Sequence, residues 1–267
     1  MKRLGLIGAG NMGGAILKGV LRNGLLRQED ILVSAKTPAT LEKLQAAYPG
    51  ISTTLDNRAV ARDSAMILLA VKPQFLGSVL TEICSETVGK AVVSIAAGWT
   101  MDMLSEALGD GAALLRAMPN TPVLVGEGMT ALCAEHTFSA EDLDFVTRMF
   151  QGVGKTVVVP ERLFDGVIAV SGSSPAYLYM MLEAMGDAGV REGLPREMAY
   201  QLAAQAMLGS AKMILETGEH PGRLKDAVCS PAGTTIEAVA ALERTGFRHA
   251  VMEAMAVCAE KSRQMAK

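Results

Sequence analysis

The N-terminal stretch LGLIGAGNMGGAILKG limits the fold of this chain more than any other part of it. An apolar run ends at Ile7, then Gly8, Gly10 and Gly13 follow in GxGxxG spacing, and a helical pattern opens at Met12. Strand, glycine turn and helix in direct succession form the first turn of a βαβ unit. Each glycine has a task there. Gly8 permits the tight turn, Gly10 lets backbone approach a pyrophosphate, and Gly13 lets the helix lie close to the sheet, with its N-terminus facing the negative charge. GxGxxG alone is weak evidence, but in this setting it favours dinucleotide binding over an ordinary glycine-rich turn.

The chain downstream keeps the same rhythm. Strands are expected at residues 3–7, 31–34, 65–71, 91–95, 113–117 and 156–159, with helices at 12–21, 38–47, 73–84 and 100–108. Continuous apolar runs such as MILLAV and AVVSIA read as strands buried on both faces of a parallel sheet. From residue 161 the β-rich runs stop, and helices are expected at 161–170, 175–192, 195–217, 234–243 and 247–265. Gly193 and Gly218 are the expected helix terminators, and Pro175 and Pro195 the expected first-turn residues. The expected organisation is therefore an α/β nucleotide-binding (Rossmann-like) domain over residues 1–160, followed by an all-α domain over 161–267. In the latter, Met198, Leu202 and Ala206 share one helical face, with Ala203, Met207 and Ile214 nearby. So apolar a region of this size is expected to complete its core with a second copy of the chain.

Loops that follow strands narrow the chemistry. After the second strand an NAD site usually carries Asp or Glu to accept from the ribose. Here the sequence reads Val33-Ser34-Ala35-Lys36-Thr37-Pro38: Ser34 and Thr37 can donate to a 2′-phosphate and Lys36 can neutralise it. NADP is the expected cofactor, against the plainer reading of Lys36 as a solvated loop residue. Ala70-Val71-Lys72-Pro73 and the small residues Ala96-Ala97-Gly98 occupy further strand ends, where cofactor-contacting loops lie. In Met118-Pro-Asn-Thr-Pro122 two prolines stiffen a loop in which Asn120 and Thr121 offer polar contacts.

Two joints in the helical half are hydroxyl-rich: GSSPAY at 172–177 and SPAGTT at 230–235. In the second, Thr234 and Glu237 have T-x-x-E capping-box spacing, which places Thr235 at the first helical position. Amides near Gly233, Thr234 and Thr235 would then face an anion such as a carboxylate, with Ser230 alongside; helix capping alone accounts for the same residues.

Composition removes other classes. Lys and Arg number 25 against 28 Asp and Glu, a formal charge of −3, and no basic run offers a nucleic-acid surface. No apolar stretch is long enough to span a membrane. Glycines break the early apolar run, so strand and turn explain it better than a signal peptide. The four cysteines lack CxxC spacing and the three histidines do not cluster, which argues for reduced thiols, a cytoplasmic protein and no metal.

Taken together, IGAGNMG (7–13), AVKPQ (70–74), SIAAG (94–98), RAMPNTP (116–122), SGSSPAY (171–177) and LKDAVCSPAGTTIEAVAALERTGFR (224–248) closely resemble the pyrroline-5-carboxylate reductase family. The resemblance runs in order through residues 1–265, and the last motif is its signature. It implies NAD(P)H-dependent reduction of (S)-1-pyrroline-5-carboxylate to L-proline, the final step of proline synthesis, in a homo-oligomer built from dimers. Gly8, Ala9, Gly10, Asn11, Met12 and Gly13 would hold the pyrophosphate. Ser34, Lys36 and Thr37 would meet the adenosine end, Asn57 its ribose, and Ala70, Val71, Lys72 and Pro73, with Ala97 and Gly98, would line the dinucleotide. Ser230, Gly233, Thr234 and Thr235 would clamp the substrate carboxylate, and Thr235 would also hydrogen-bond the ring nitrogen. Two positions depart from the family pattern: Ala232 replaces a frequent glycine, and Trp99 is larger than the usual aliphatic residue. Two other classes fit less well. A 3-hydroxyacid dehydrogenase needs a proton acceptor, for which Lys212 is the available residue without the accompanying Lys-x-x-Asn pattern, and a noncatalytic NADP-binding regulator would not need the signature loop.

Overall fold

The computed structural model describes residues 1–265. Its first part alternates β1 (Lys2–Ile7), α1 (Asn11–Arg22), β2 (Ile31–Ser34), α2 (Pro38–Ala47), β3 (Ser52–Thr54), α3 (Asn57–Asp63), β4 (Ser64–Leu69), α4 (Pro73–Ile83), β5 (Ala91–Ser94), α5 (Met101–Leu108) and β6 (Ala113–Pro119), then β7 (Gly128–Cys133), α6 (Ala140–Gln151) and β8 (Gly154–Val159). The strands form one eight-stranded sheet in the order β3-β2-β1-β4-β5-β6-β7-β8. Every pairing is parallel except β6 with β7. The β3-β2-β1-β4-β5-β6 portion has the strand order of a dinucleotide-binding sheet, which reverses direction of travel between β1 and β4. Register puts Ile7 beside Ser34 on one side and Leu69 on the other, so three strands end level. The glycine loop, residues 35–37 and residues 70–72 therefore leave the sheet side by side.

The burial of these strands explains their continuous apolar sequences. Leu4, Leu6, Ile7, Ile31, Val33, Ile67, Leu68, Leu69, Val92 and Val93 all lie in one core under helices on both faces. The expected elements leave 118–155 as a connection, whereas β7 and α6 occupy it. Ser139 Oγ accepts from the Asp142 amide to cap α6, and Phe145, Val146, Met149 and Phe150 form its buried face. β3 and α3 are likewise present where no element was expected.

After β8 the chain runs through α7 (Phe164–Val167), a π-helical turn at Ile168–Gly172, α8 (Ser174–Arg191), α9 (Arg196–Thr217), α10 (Pro221–Val228), α11 (Thr234–Arg244) and α12 (Phe247–Met265). The joint expected at 172–177 is a widened helical turn, and Ser174 already belongs to α8. Gly193 and Gly218 both take positive φ, at 95° and 66°, as expected of helix terminators. Two compact units result, but they do not divide at residue 160: among the described residues the first holds Met1–Ser173 with Cys258–Met265, and the second Ser174–Val257. The reason is side-chain packing in the first unit. Phe164 is buried in the sheet core, the Arg116 guanidinium lies 4.4 Å from its ring centroid and 2.9 Å from Glu161, and Ser262 Oγ donates to Asp165 at 2.6 Å.

In the second unit α8 and α9 pack through small residues. A side chain at Gly186 would collide with the Tyr200 ring, and a Cβ at Gly189 would lie 2.8 Å from that of Ala199. Ala199 and Ala203 are buried, yet no described Leu, Ile, Val, Met or Phe of this unit is. Leu215, Met252 and Met180 are 84%, 71% and 69% exposed, and the expected Met198/Leu202/Ala206 face is open as well. An apolar surface of this extent marks an interaction face.

Candidate functional site

The glycine loop is built as its sequence demands. Gly8 has φ 105°, and a Cβ there would meet the Ala70 carbonyl oxygen at 2.7 Å. One at Gly13 would collide with the Gly8 carbonyl. A Cβ on Gly10 meets nothing within 4 Å, so the second glycine keeps an open face clear for an incoming group. Gly10 is the N-cap of α1 and no side chain caps the helix. The first amides of α1, at Asn11, Met12 and Gly13, are thus free of intrahelical partners and suit a pyrophosphate; these residues fit a dinucleotide.

Beside the glycine loop a cleft of about 390 Å³ is lined by Gly8, Lys36, Asn57, Val71, Phe75 and Glu82, among others. Lys36 Nζ stands 4.7 Å from the centroid of the Phe75 ring, an arrangement that holds the ammonium at the cleft wall. Thr37 Oγ1 lies 3.0 Å from Thr40 Oγ1 at the start of α2. Ser34 does not match its expected role as a phosphate donor. It is fully buried, and its hydroxyl donates to Asn57 Oδ1 at 2.7 Å. The Asn57 amide nitrogen in turn donates to Glu82 Oε2 at 2.8 Å. Ser34 therefore orients Asn57 instead of meeting a ligand. Phe75 and Glu82 escaped sequence reasoning because they sit within α4, where an apolar and a charged residue look like ordinary helix positions.

Ala70 continues the sheet pattern, its amide donating to the Ile7 carbonyl at 2.8 Å. Lys72 is the N-cap of α4 and Pro73 its first residue. Trp99 faces this loop: its indole N–H donates to the Pro73 carbonyl at 3.3 Å, and its ring covers Gly77 at 3.5 Å from where a Cβ would stand. The large side chain braces the 71–73 loop. Ala97 and Gly98 follow β5, and Gly98 takes φ 77° against the end of α12, where a Cβ would be 3.0 Å from that of Met265. Asn120 is consumed by the fold, its Oδ1 accepting from the Met129 amide at 2.9 Å and its Nδ2 donating to the Ser171 carbonyl at 3.2 Å.

In the second unit the 230–235 segment departs from the expected capping box. The Gly233 amide donates to the Ser230 carbonyl at 3.1 Å, closing a Ser230-Pro-Ala-Gly233 turn. Proline at the second place and positive φ at the third, 55° at Ala232, are the marks of a type II turn. Gly233 is extended and serves as N-cap, so α11 starts at Thr234, which cannot cap a helix it belongs to. Thr235 is the second helical residue rather than the first. A Cβ at Gly233 would collide with Ser230 Oγ, which places that hydroxyl directly against the helix start. Among the described residues no side chain is seen to cap α11, leaving its first amides for an external acceptor. Lys212 is exposed and paired with Glu216 one turn along α9 at 3.4 Å, which gives it a surface role. Among the described residues no His, Cys, Asp and Glu group could hold a metal ion, and no helix is long and apolar enough to cross a membrane.

Comparison with known proteins identifies the family of the chain. Residues 161–265 match the pyrroline-5-carboxylate reductase dimerisation family, and residues 3–98 match the family of coenzyme F420-dependent NADP oxidoreductases. The chain is 49% identical to the pyrroline-5-carboxylate reductase of Escherichia coli K12, across all of this chain and 99% of that protein. The chain belongs to the pyrroline-5-carboxylate reductase family. The Methanosarcina acetivorans member is 43% identical over all of this chain and 98% of its own length. The crystal structure of the Plasmodium falciparum pyrroline carboxylate reductase with NADP bound superposes with a TM-score of 0.89, at 32% identity over all of this chain and 98% of that one. The activity of this family member is the NAD(P)H-dependent reduction of 1-pyrroline-5-carboxylate in proline synthesis.

Proposed function

We infer that the chain carries a cofactor cradle at residues 8–13, 36–37, 57, 70–73 and 97–98, with Ser34 holding Asn57 from beneath, and a substrate clamp at 230–235. The observation that carries this reading is the uncapped start of α11 beside Ser230 Oγ. A carboxylate there accepts from the Thr234 and Thr235 amides and from the Ser230 hydroxyl, with the helix dipole adding about 0.3–1 kcal/mol. NADPH supplies the hydride that turns the imine of (S)-1-pyrroline-5-carboxylate into the secondary amine of L-proline. Lys36 at the wall of the adenosine cleft favours NADPH, with NADH as the weaker alternative. Thr235 orients the ring nitrogen. Its hydroxyl is too weak an acid to serve as the proton source by itself, so its contribution is positioning of a substrate that is already electrophilic when protonated.

By sequence character the nucleotide domain is residues 1–160 and the substrate and dimerisation domain 161–267, while residues 161–173 and the end of the last helix pack with the first compact unit. The exposed apolar helices of the second unit support a homo-oligomer built from dimers, and four free cysteines suit a cytoplasmic enzyme. The test is Thr235→Ala. Loss of one orienting donor lowers kcat/KM for pyrroline-5-carboxylate by about 100-fold, Thr235→Ser restores most of it, and the Kd for NADPH moves by less than about twofold. Parallel loss of cofactor binding and turnover would refute the assignment.

A further inference from the structure

Glu82 is a charged group on the adenosine cleft that none of the roles above uses. It is exposed, lies on the third turn of α4, and lines the same cleft as Lys36, Phe75 and Asn57. The chain of hydrogen bonds from Ser34 through Asn57 to Glu82 has only one consistent polarity. A carboxylate accepts and does not donate, so the Asn57 NH₂ must face Glu82 and its Oδ1 must face inward. The buried Ser34 hydroxyl must then donate to that oxygen, as it does at 2.7 Å. The carboxylate at the rim thus fixes the orientation of an amide whose second N–H and remaining lone pair are available to a ribose.

We propose that Glu82 is a specificity-determining residue: it positions Asn57 for the adenosine ribose and, by its charge, restrains the advantage that Lys36 gives to a 2′-phosphorylated nucleotide. This inference rests on the cofactor cradle proposed above. Two opposite charges on one cleft make selectivity a balance, since a dianionic phosphate is attracted by Lys36 and repelled by Glu82, whereas a free ribose gains the oriented amide and feels little of either charge. Glu82→Gln keeps an acceptor for Asn57 and removes only the charge; Glu82→Lys reverses it.

The direct readout is calorimetric binding of 2′,5′-ADP and of AMP to the full-length protein, beside kcat/KM for NADPH and NADH. Glu82→Gln is expected to raise the 2′,5′-ADP to AMP affinity ratio about three- to tenfold at low salt, the scale of one unit-charge interaction in water-like surroundings. Glu82→Lys raises it further. At 1 M salt, where charges are screened within about 3 Å, the gain shrinks toward unity. The NADPH to NADH ratio in turnover moves in the same direction. A ratio unchanged or lowered in both variants overturns the role of Glu82. Failure of the unaltered protein to bind either nucleotide would instead overturn the cradle itself, and the two failures are told apart by that control.

Discussion

Replacing Ala232 by glycine isolates the one strained backbone position among the described residues. Ala232 is the only non-glycine there with positive φ, at 55°, and it occupies the third place of the turn that delivers Ser230 and Gly233 to the start of α11. In that region the Cβ of an L-residue crowds its own carbonyl, a cost of roughly 1–2 kcal/mol. Ala232 is solvent-exposed, so its methyl group offsets little of this by burial. Glycine removes the clash but gives the unfolded chain more freedom, a loss of about 0.4–1 kcal/mol. The balance predicts that Ala232→Gly stabilises the protein by roughly 0.5–1 kcal/mol, or about 1–4 °C in Tm for a chain of this size. Urea unfolding with a shared m-value gives the free energy, and hydrogen exchange of the 233–235 amides reports the turn directly. Because the turn keeps its geometry, KM for pyrroline-5-carboxylate should change by less than about twofold. Ala232→Val is the opposing control: a β-branched side chain at positive φ is worse than alanine and should lower stability. Glycine that destabilises, with valine tolerated as well as alanine, would show that residue 232 does not adopt this conformation in solution and would remove the type II turn from the clamp.

Reversing the charge at Lys36 tests the proposed cofactor cleft. Lys36→Glu should lower kcat/KM with NADPH by about tenfold or more while leaving NADH within about threefold, and an unaltered cofactor ratio would sink the 2′-phosphate role. Cys133 supplies a prediction in pH. Burial at the end of β7 pushes its thiol up to about 11 from the ordinary 9.0. The native state therefore holds the proton over a range in which the unfolded chain releases it. The stability that this confers is fully present below about pH 9 and is lost as pH rises from there to about 11, so Cys133→Ala should flatten that part of the alkaline stability profile. Alkylation of Cys133 at pH 8 should likewise require unfolding.

How far the sequence discloses this molecule depends on what holds each element in place. β1, β2, β4 and β5 are legible because strands buried on both faces must be apolar throughout. β3 is three partly exposed residues, Ser52–Thr54, whose one strand partner is β2, and carries no such signal. α6 lies outside the expected elements although its serine cap, acidic first turn and clean apolar face are a strong local helix pattern. The division at residue 160 follows the change in sequence character, but Phe164 and Ser262 belong by packing to the first unit, and such long-range contacts leave no local trace. At the site, glycine spacing discloses the tight turn between β1 and α1 because the reason is backbone geometry. Ser34 misleads because a hydroxyl at the end of a strand looks the same in sequence whether it faces a ligand or a neighbouring asparagine. The capping box fails for a related reason: T-x-x-E spacing is satisfied, but Gly233 is free to take the extended N-cap conformation and moves the helix start one residue earlier.

The shift of that helix start bears on why the proposed substrate segment carries no arginine or lysine. The reactive form of the substrate is a protonated imine next to the carbon that bears its carboxylate. A guanidinium placed to bind that carboxylate would also stand near the iminium, where a full positive charge at about 4 Å opposes it by about 4 kcal/mol at an effective dielectric of 20. Backbone amides and hydroxyls bind the same carboxylate with partial charges only, and the dipole contribution of α11 is about 0.3–1 kcal/mol. The difference of roughly 3 kcal/mol corresponds to about two pH units in the protonation of the imine. A clamp made from Ser230, an uncapped helix start and Thr235 can therefore hold the anion while leaving the nitrogen protonated, and moving the helix start to Thr234 puts one more unoccupied amide into that neutral clamp.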